Sequence, residues 1–150
     1  MPRRRHLTVA FISALALAGC AEAATSGTQP GAEPAAQWRE PAAYTYTLDS
    51  RCGERALIGR YRITVVNGAV AKAEGLDQGA KTAIATVRSD FVPTIGGLLK
   101  ELADARSQGA DQAVLVSDPA DGHPLKITID PLKDAIDDEA CYTITEYAPS

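Results

Sequence analysis

Two stretches of strict alternation followed by an Asn-Gly pair constrain this chain more than anything else in it. Tyr44, Tyr46 and Leu48 alternate with Thr45, Thr47 and Asp49; within residues 58–66, Tyr61, Ile63 and Val65 alternate with Arg60, Arg62 and Thr64. A period of two places each set on its own face of a strand, so both stretches predict strands buried on one side and solvated on the other. Asn67-Gly68 follows at once. A type I′ turn needs positive φ at both central residues, which this dipeptide tolerates, so residues 69–73 are predicted to fold back as an antiparallel partner.

The pattern changes at Pro93-Thr94. Ile95, Leu98, Leu99 and Leu102 recur at helical spacing with Lys100, Glu101 and Asp104 opposite, and Gly109 supplies a stop. Gly96 and Gly97 should weaken the first turn by about 1 kcal/mol each relative to alanine. Period two then returns. Residues 113–116 form a short apolar run, and residues 118–122 are dense in turn formers. Leu125, Ile127 and Ile129 then alternate with Lys126, Thr128 and Asp130 up to Pro131. In residues 141–147, Tyr142 and Ile144 take one side and Thr143 and Thr145 the other. Residues 75–92 lack a clear period and predict a loop, with at most a short strand at 83–87. The expected class is α+β: a mainly antiparallel sheet of about six strands with one amphipathic helix packed on one face.

Ahead of this domain lies a different kind of sequence. Arg3, Arg4, Arg5 and His6 precede an apolar run over residues 7–18, too short to span a bilayer but matching a signal h-region. Leu17-Ala18-Gly19-Cys20 resembles the bacterial lipoprotein box, so residues 1–19 are expected to be a signal peptide and Cys20 the acylated first residue. Residues 20–36 carry no large apolar side chain and predict a flexible tether, leaving residues 37–150 as a single domain that begins near Trp38. The address implied is the extracytoplasmic side of a cell membrane or outer membrane.

The whole chain has a net charge of −4, with 15 Lys+Arg against 19 Asp+Glu. Loss of residues 1–19 removes three arginines and no acids, making the rest more acidic still. Such a chain lacks the basic surface that a phosphate backbone requires, so no nucleic-acid partner is expected. With Cys20 acylated, Cys52 and Cys141 are an even pair in an oxidising compartment, and a disulfide between them is expected on the Thr143 and Thr145 side of the last strand. That bridge would bring Arg51, Arg55, Arg60 and Arg62 beside Asp137, Asp138, Glu139 and Glu146 as a charge seam.

Catalytic patterns are missing: there is no nucleophile elbow, no zinc-binding His-Glu-x-x-His and no phosphate-cradling glycine loop, and no cofactor is expected. His123 is the single histidine after Cys20, which excludes a multi-histidine metal site, and it reads as a turn residue in the place of an aromatic. Asp118, Asp121, Asp130, Asp134, Asp137, Asp138 and Glu139 offer oxygens, but not in the spacing that wraps Ca²⁺.

The run from Asp118 through Gly122-His123-Pro124 to Ile127-Thr128-Ile129-Asp130, then Asp137-Asp138-Glu139 before Tyr142, resembles domain-of-unknown-function family 6174, as do Trp38, Tyr44-x-Tyr46 and Cys52. His123 stands where that family usually has Tyr or Phe. The resemblance implies a secreted or lipid-anchored bacterial protein and brings no activity. The function expected is a non-enzymatic binding module tied to the membrane through Cys20, meeting an envelope protein or polymer. The alternatives are a small hydrolase or redox enzyme, or a weak Ca²⁺-binding lipoprotein.

Overall fold

A computed structural model of the chain describes residues 38–86 and 91–150. The signal segment, Cys20 and the tether lie outside the described residues. The elements are β1 (Ala43–Ser50), β2 (Gly59–Val66), β3 (Ala69–Gly75), α1 (Gln78–Thr86), α2 (Ile95–Ser107), β4 (Gln112–Ser117), β5 (Pro124–Asp130) and β6 (Ala140–Pro149). They build one six-stranded antiparallel sheet in the order β3-β2-β1-β6-β5-β4. Two three-stranded meanders therefore flank the helices in sequence and meet at the β1–β6 seam.

The alternation places the core where the sequence predicts it. Tyr44, Tyr46 and Leu48 of β1, Tyr61, Ile63 and Val65 of β2, Ile127 and Ile129 of β5, and Tyr142 and Ile144 of β6 are all buried on the helix-bearing face. Asn67 and Gly68 have φ of 53° and 72°, the I′ turn, with Val66 paired to Ala69. The opposite face is polar, apart from Val66 at the end of β2 and Val114 and Val116 on edge strand β4, each about half exposed.

Two helices lie on the sheet rather than one. Residues 78–86, expected as loop with at most a short strand from 83, form α1, while Val87 lies outside the described residues. The Asp77 carboxylate starts α1 by accepting from Ala80 N at 2.7 Å, and it ties the helix to β2 by accepting from Arg60 N at 2.8 Å. Alanine makes this helix close-fitting. Ala80 is fully buried, and a Cβ at Gly59 or Gly75 would lie within 3 Å of Ala80 atoms, so both glycines are what lets α1 settle on β2 and β3.

The second helix follows the predicted stripe. Ile95, Leu98 and Leu102 are buried, Thr94 Oγ1 accepts from Gly97 N at 3.1 Å, and Gly109 (φ 76°) follows the last turn. Gly96 has a specific reason to lack a side chain: its N–H donates to Glu40 Oε1 at 3.0 Å, and a Cβ at that position would strike the carboxylate. That carboxylate stands at the positive end of the helix dipole. It also accepts from the Tyr44 hydroxyl, which accepts in turn from Ile95 N at 2.9 Å. Burial and the neighbouring Glu40 push the Tyr44 phenol far up.

A bulge separates Thr45 from Thr47 in the β1–β6 register, and Glu146 sits there with φ 51°. The extra residue shifts the alternation by one. Tyr147 thereby turns inward against Tyr44 and Trp38, while Glu146 accepts from Thr47 Oγ1 at 2.6 Å and pairs with Arg62 on the outer face.

Three carboxylates are held below the ordinary range: Asp77 by the N–H groups of Ala80 and Arg60, Asp121 by the backbone and ring of His123, and Glu146 by the Thr47 hydroxyl and Arg62. A folded-state value below the unfolded one lends stability that is full above a pH of about 4 and drains away as pH falls through the lowered values. Thermal unfolding is expected at a lower temperature near pH 3 than near pH 7. Asp77→Asn should narrow that gap, and an unchanged gap would remove Asp77 from the explanation.

Candidate binding cleft

Loop residues 51–58 and 131–139 lie against each other beside the C-terminal half of α2. Arg51 N donates to Cys141 O at 3.2 Å and Glu54 N to Asp137 O at 2.9 Å. Gly53 (φ 71°) is the residue that permits this approach, because a Cβ there would run into the Glu139 carbonyl. The Cys52–Cys141 disulfide fastens the same place, with Cα atoms 5.3 Å apart. Cys141 alternates with Tyr142, so the bond stands on the outer face as expected, and the loop beyond it crosses to the inner face.

There the loop delivers Arg55. Its guanidinium pairs with Glu101 of α2 and lies 5.6 Å from the ring centroid of Tyr142, whose hydroxyl donates to Glu101 Oε2 at 3.0 Å. Burial, then the adjacent Glu101 charge, holds the Tyr142 phenol well above its usual value, so it stays a donor at physiological pH. Two cavities share this ion pair. One, of about 590 Å³, runs along α2 and is walled by Ala105, Ala110, Ile129, Pro131 and Leu132, with Lys100, Asp104 and Asp138 at its polar margin. The other, of about 200 Å³, is walled by Leu48, Ala56, Leu57, Phe91 and Pro93 and holds Ser50.

Ser50 is the informative residue. It closes the inward series of β1, is 1% exposed, and its hydroxyl has no hydrogen-bond partner. A buried hydroxyl left unpaired costs about 1 to 3 kcal/mol, and it lines a cavity large enough to admit a partner. At the rims, Phe91 and Leu132 are more than 60% exposed despite their apolar character.

The other sequence candidates fall elsewhere. His123 stacks on Tyr147 with centroids 4.5 Å apart, as a residue in an aromatic's place should, and its Nδ1 lies 2.5 Å from Asp121 Oδ1. Asp118, Asp121 and His123 are the one group among the described residues whose potential ligand atoms converge, within 4.8 Å. Two carboxylates and an imidazole fall short of the six to eight oxygens Ca²⁺ takes. The expected charge seam reduces to Arg62 with Glu146: Arg51 and Arg60 pair with Asp49, and Arg55 has turned inward to Glu101. Arg55, Glu101 and Tyr142 come from a loop, a helix and a strand, and their convergence has no local signature in the sequence. No helix among the described residues is long and apolar enough to cross a membrane.

Comparison with known proteins gives one family. The sequence model of DUF6174, described as a family of unknown function, matches residues 32–149. No curated protein and no solved structure matches the chain.

Proposed function

The chain belongs to DUF6174, a family of unknown function, and from that premise we propose that it is a non-enzymatic binding module, held on the extracytoplasmic side of a membrane by acyl chains on Cys20. Its guest is a small amphipathic molecule, or the exposed end of an envelope protein or polymer, that enters the cleft beside α2. The observation that carries this reading is the buried, unpartnered Ser50 hydroxyl in a cavity continuous in its walls with the Arg55–Glu101 pair. Few convergent polar groups in an apolar concavity are what ligand sites have in common. The joined cysteines lie on the other face of the sheet, which favours a staple over a reactive pair.

Two measurements test the two halves of the proposal. Replacing residues 1–20 by a cleavable export leader without the Leu-Ala-Gly-Cys box should move the protein from the membrane pellet to the soluble fraction, since two acyl chains are what holds so small a domain on a bilayer. A protein that stays in the pellet ends the anchoring claim. Native mass spectrometry of the protein purified from its own cells should show a small-molecule adduct that disappears in Ala105→Trp, which places an indole against the apolar wall of the larger cavity. An adduct kept by that variant, or none in the wild type, ends the cleft claim.

A further inference from the structure

Charge along the larger cavity is unevenly matched. Arg55 is answered by Glu101, and Lys100 by Asp104 at 2.5 Å, whereas Asp138 Oδ1 is buried with no hydrogen-bond partner. Asp130 Oδ1, on the strand behind that wall, is buried and unpartnered as well. Burial, with the charges of Asp111, Asp138 and Glu139, outweighs a backbone hydrogen bond from Leu132 and holds Asp130 above the ordinary carboxylate range, so acidic groups crowd this end of the molecule. The apolar wall of Ala105, Ala110, Ile129 and Leu132 stands directly beside it.

Building on the cleft as the binding site, we propose that its guest carries a cationic nitrogen on a short apolar body, an alkylammonium or the end of a lysine-like side chain, with the nitrogen on Asp138. An ammonium group supplies three donors and the missing positive charge, and charge-assisted hydrogen bonds are about twice as strong as neutral ones. The apolar body covers the wall that is otherwise open to water. A guest reaching past the Arg55–Glu101 pair meets the Ser50 hydroxyl, which can donate or accept. Anionic guests are disfavoured, because they must displace Glu101 from Arg55 or Asp104 from Lys100 before finding a counter-charge.

Three probes of equal length separate the possibilities: n-hexylammonium, n-hexanol and hexanoate. Each is titrated into the protein that begins at residue 20 with Cys20→Ser, so that neither leader nor acyl chain competes, and followed by amide chemical shifts at Ala105, Ala110, Ile129 and Leu132. Hexylammonium should bind about tenfold more tightly than hexanol, and Asp138→Asn should abolish that preference. Hexanol binding equally well, or hexanoate binding better, overturns the cationic class while leaving the cleft as a site. If none of the three moves those amides, the cleft reading falls and this inference with it. Should Asp138→Asn fail to fold, the affinity order of the three probes on the parent protein alone upholds or overturns the cationic class.

Discussion

Replacing Cys52 and Cys141 together by serine is expected to lower the melting temperature by roughly 10 to 25 °C. The two residues are 89 apart in sequence, and closing a loop of that length removes about 4 to 5 kcal/mol of chain entropy from the unfolded state, an upper figure for the native gain. The location adds weight to the length. Ser50 is paired with Tyr142 in the β1–β6 register, so the bond sits one step beyond the end of the seam that joins the two meanders. It also fixes the loop from which Arg55 reaches Glu101. Scanning calorimetry of the double variant, and of the parent with and without reductant, measures the effect. A shift under about 2 °C would show that the meanders hold together without the staple.

The second large effect is expected from Leu98→Ala, at about 3 kcal/mol. Leu98 is fully buried and lies midway along the stripe Ile95, Leu98, Leu102 by which α2 rests on the sheet. Truncation there removes apolar contact and leaves a void that the backbone of a capped helix has little freedom to close. The loss should be local first. Hydrogen exchange in the variant should show α2 amides losing more protection than those of β1 and β2, and a guanidinium midpoint unchanged from the parent would refute this role for Leu98.

These two effects differ in how far the sequence announces them. The Leu98 stripe and the inward series from Tyr44 to Leu48 are local periodicities, and each keeps its face in the structure because burial enforces it at every step. Asn67-Gly68 likewise acts within its own four residues. The first helix is legible only with partners that lie outside it. Its apolar content is Ala80, Ala83, Ile84 and Ala85, too weak for a stripe, and its seat depends on Gly59 and Gly75 in neighbouring strands. The bulge at Glu146 is equally hidden, since an even-numbered acid in an alternating strand predicts a carboxylate among tyrosines until one extra residue rotates it outward.

The cleft is the least visible part of all. Cys52 and Cys141 are legible as a pair through compartment chemistry, but nothing near Arg55 points to a helix residue 46 positions later. Nor does anything near Ser50 say that its hydroxyl will go unanswered. Sites of this kind are made by packing, and packing is a property of the closed sheet rather than of any segment.

Because β1 lies between β2 and β6, the middle of the sheet is shared by the first strand of the domain and its last. A ribosome delivers β1 before, and β6 after, every other element of the sheet. Until β6 emerges, Tyr44, Tyr46 and Leu48 belong to an open-edged three-stranded fragment that offers one flank to any passing chain. Maturation of this domain is thus an end-point event, and a translation product stopped short of β6 is expected to be a liability to its neighbours rather than a smaller working protein.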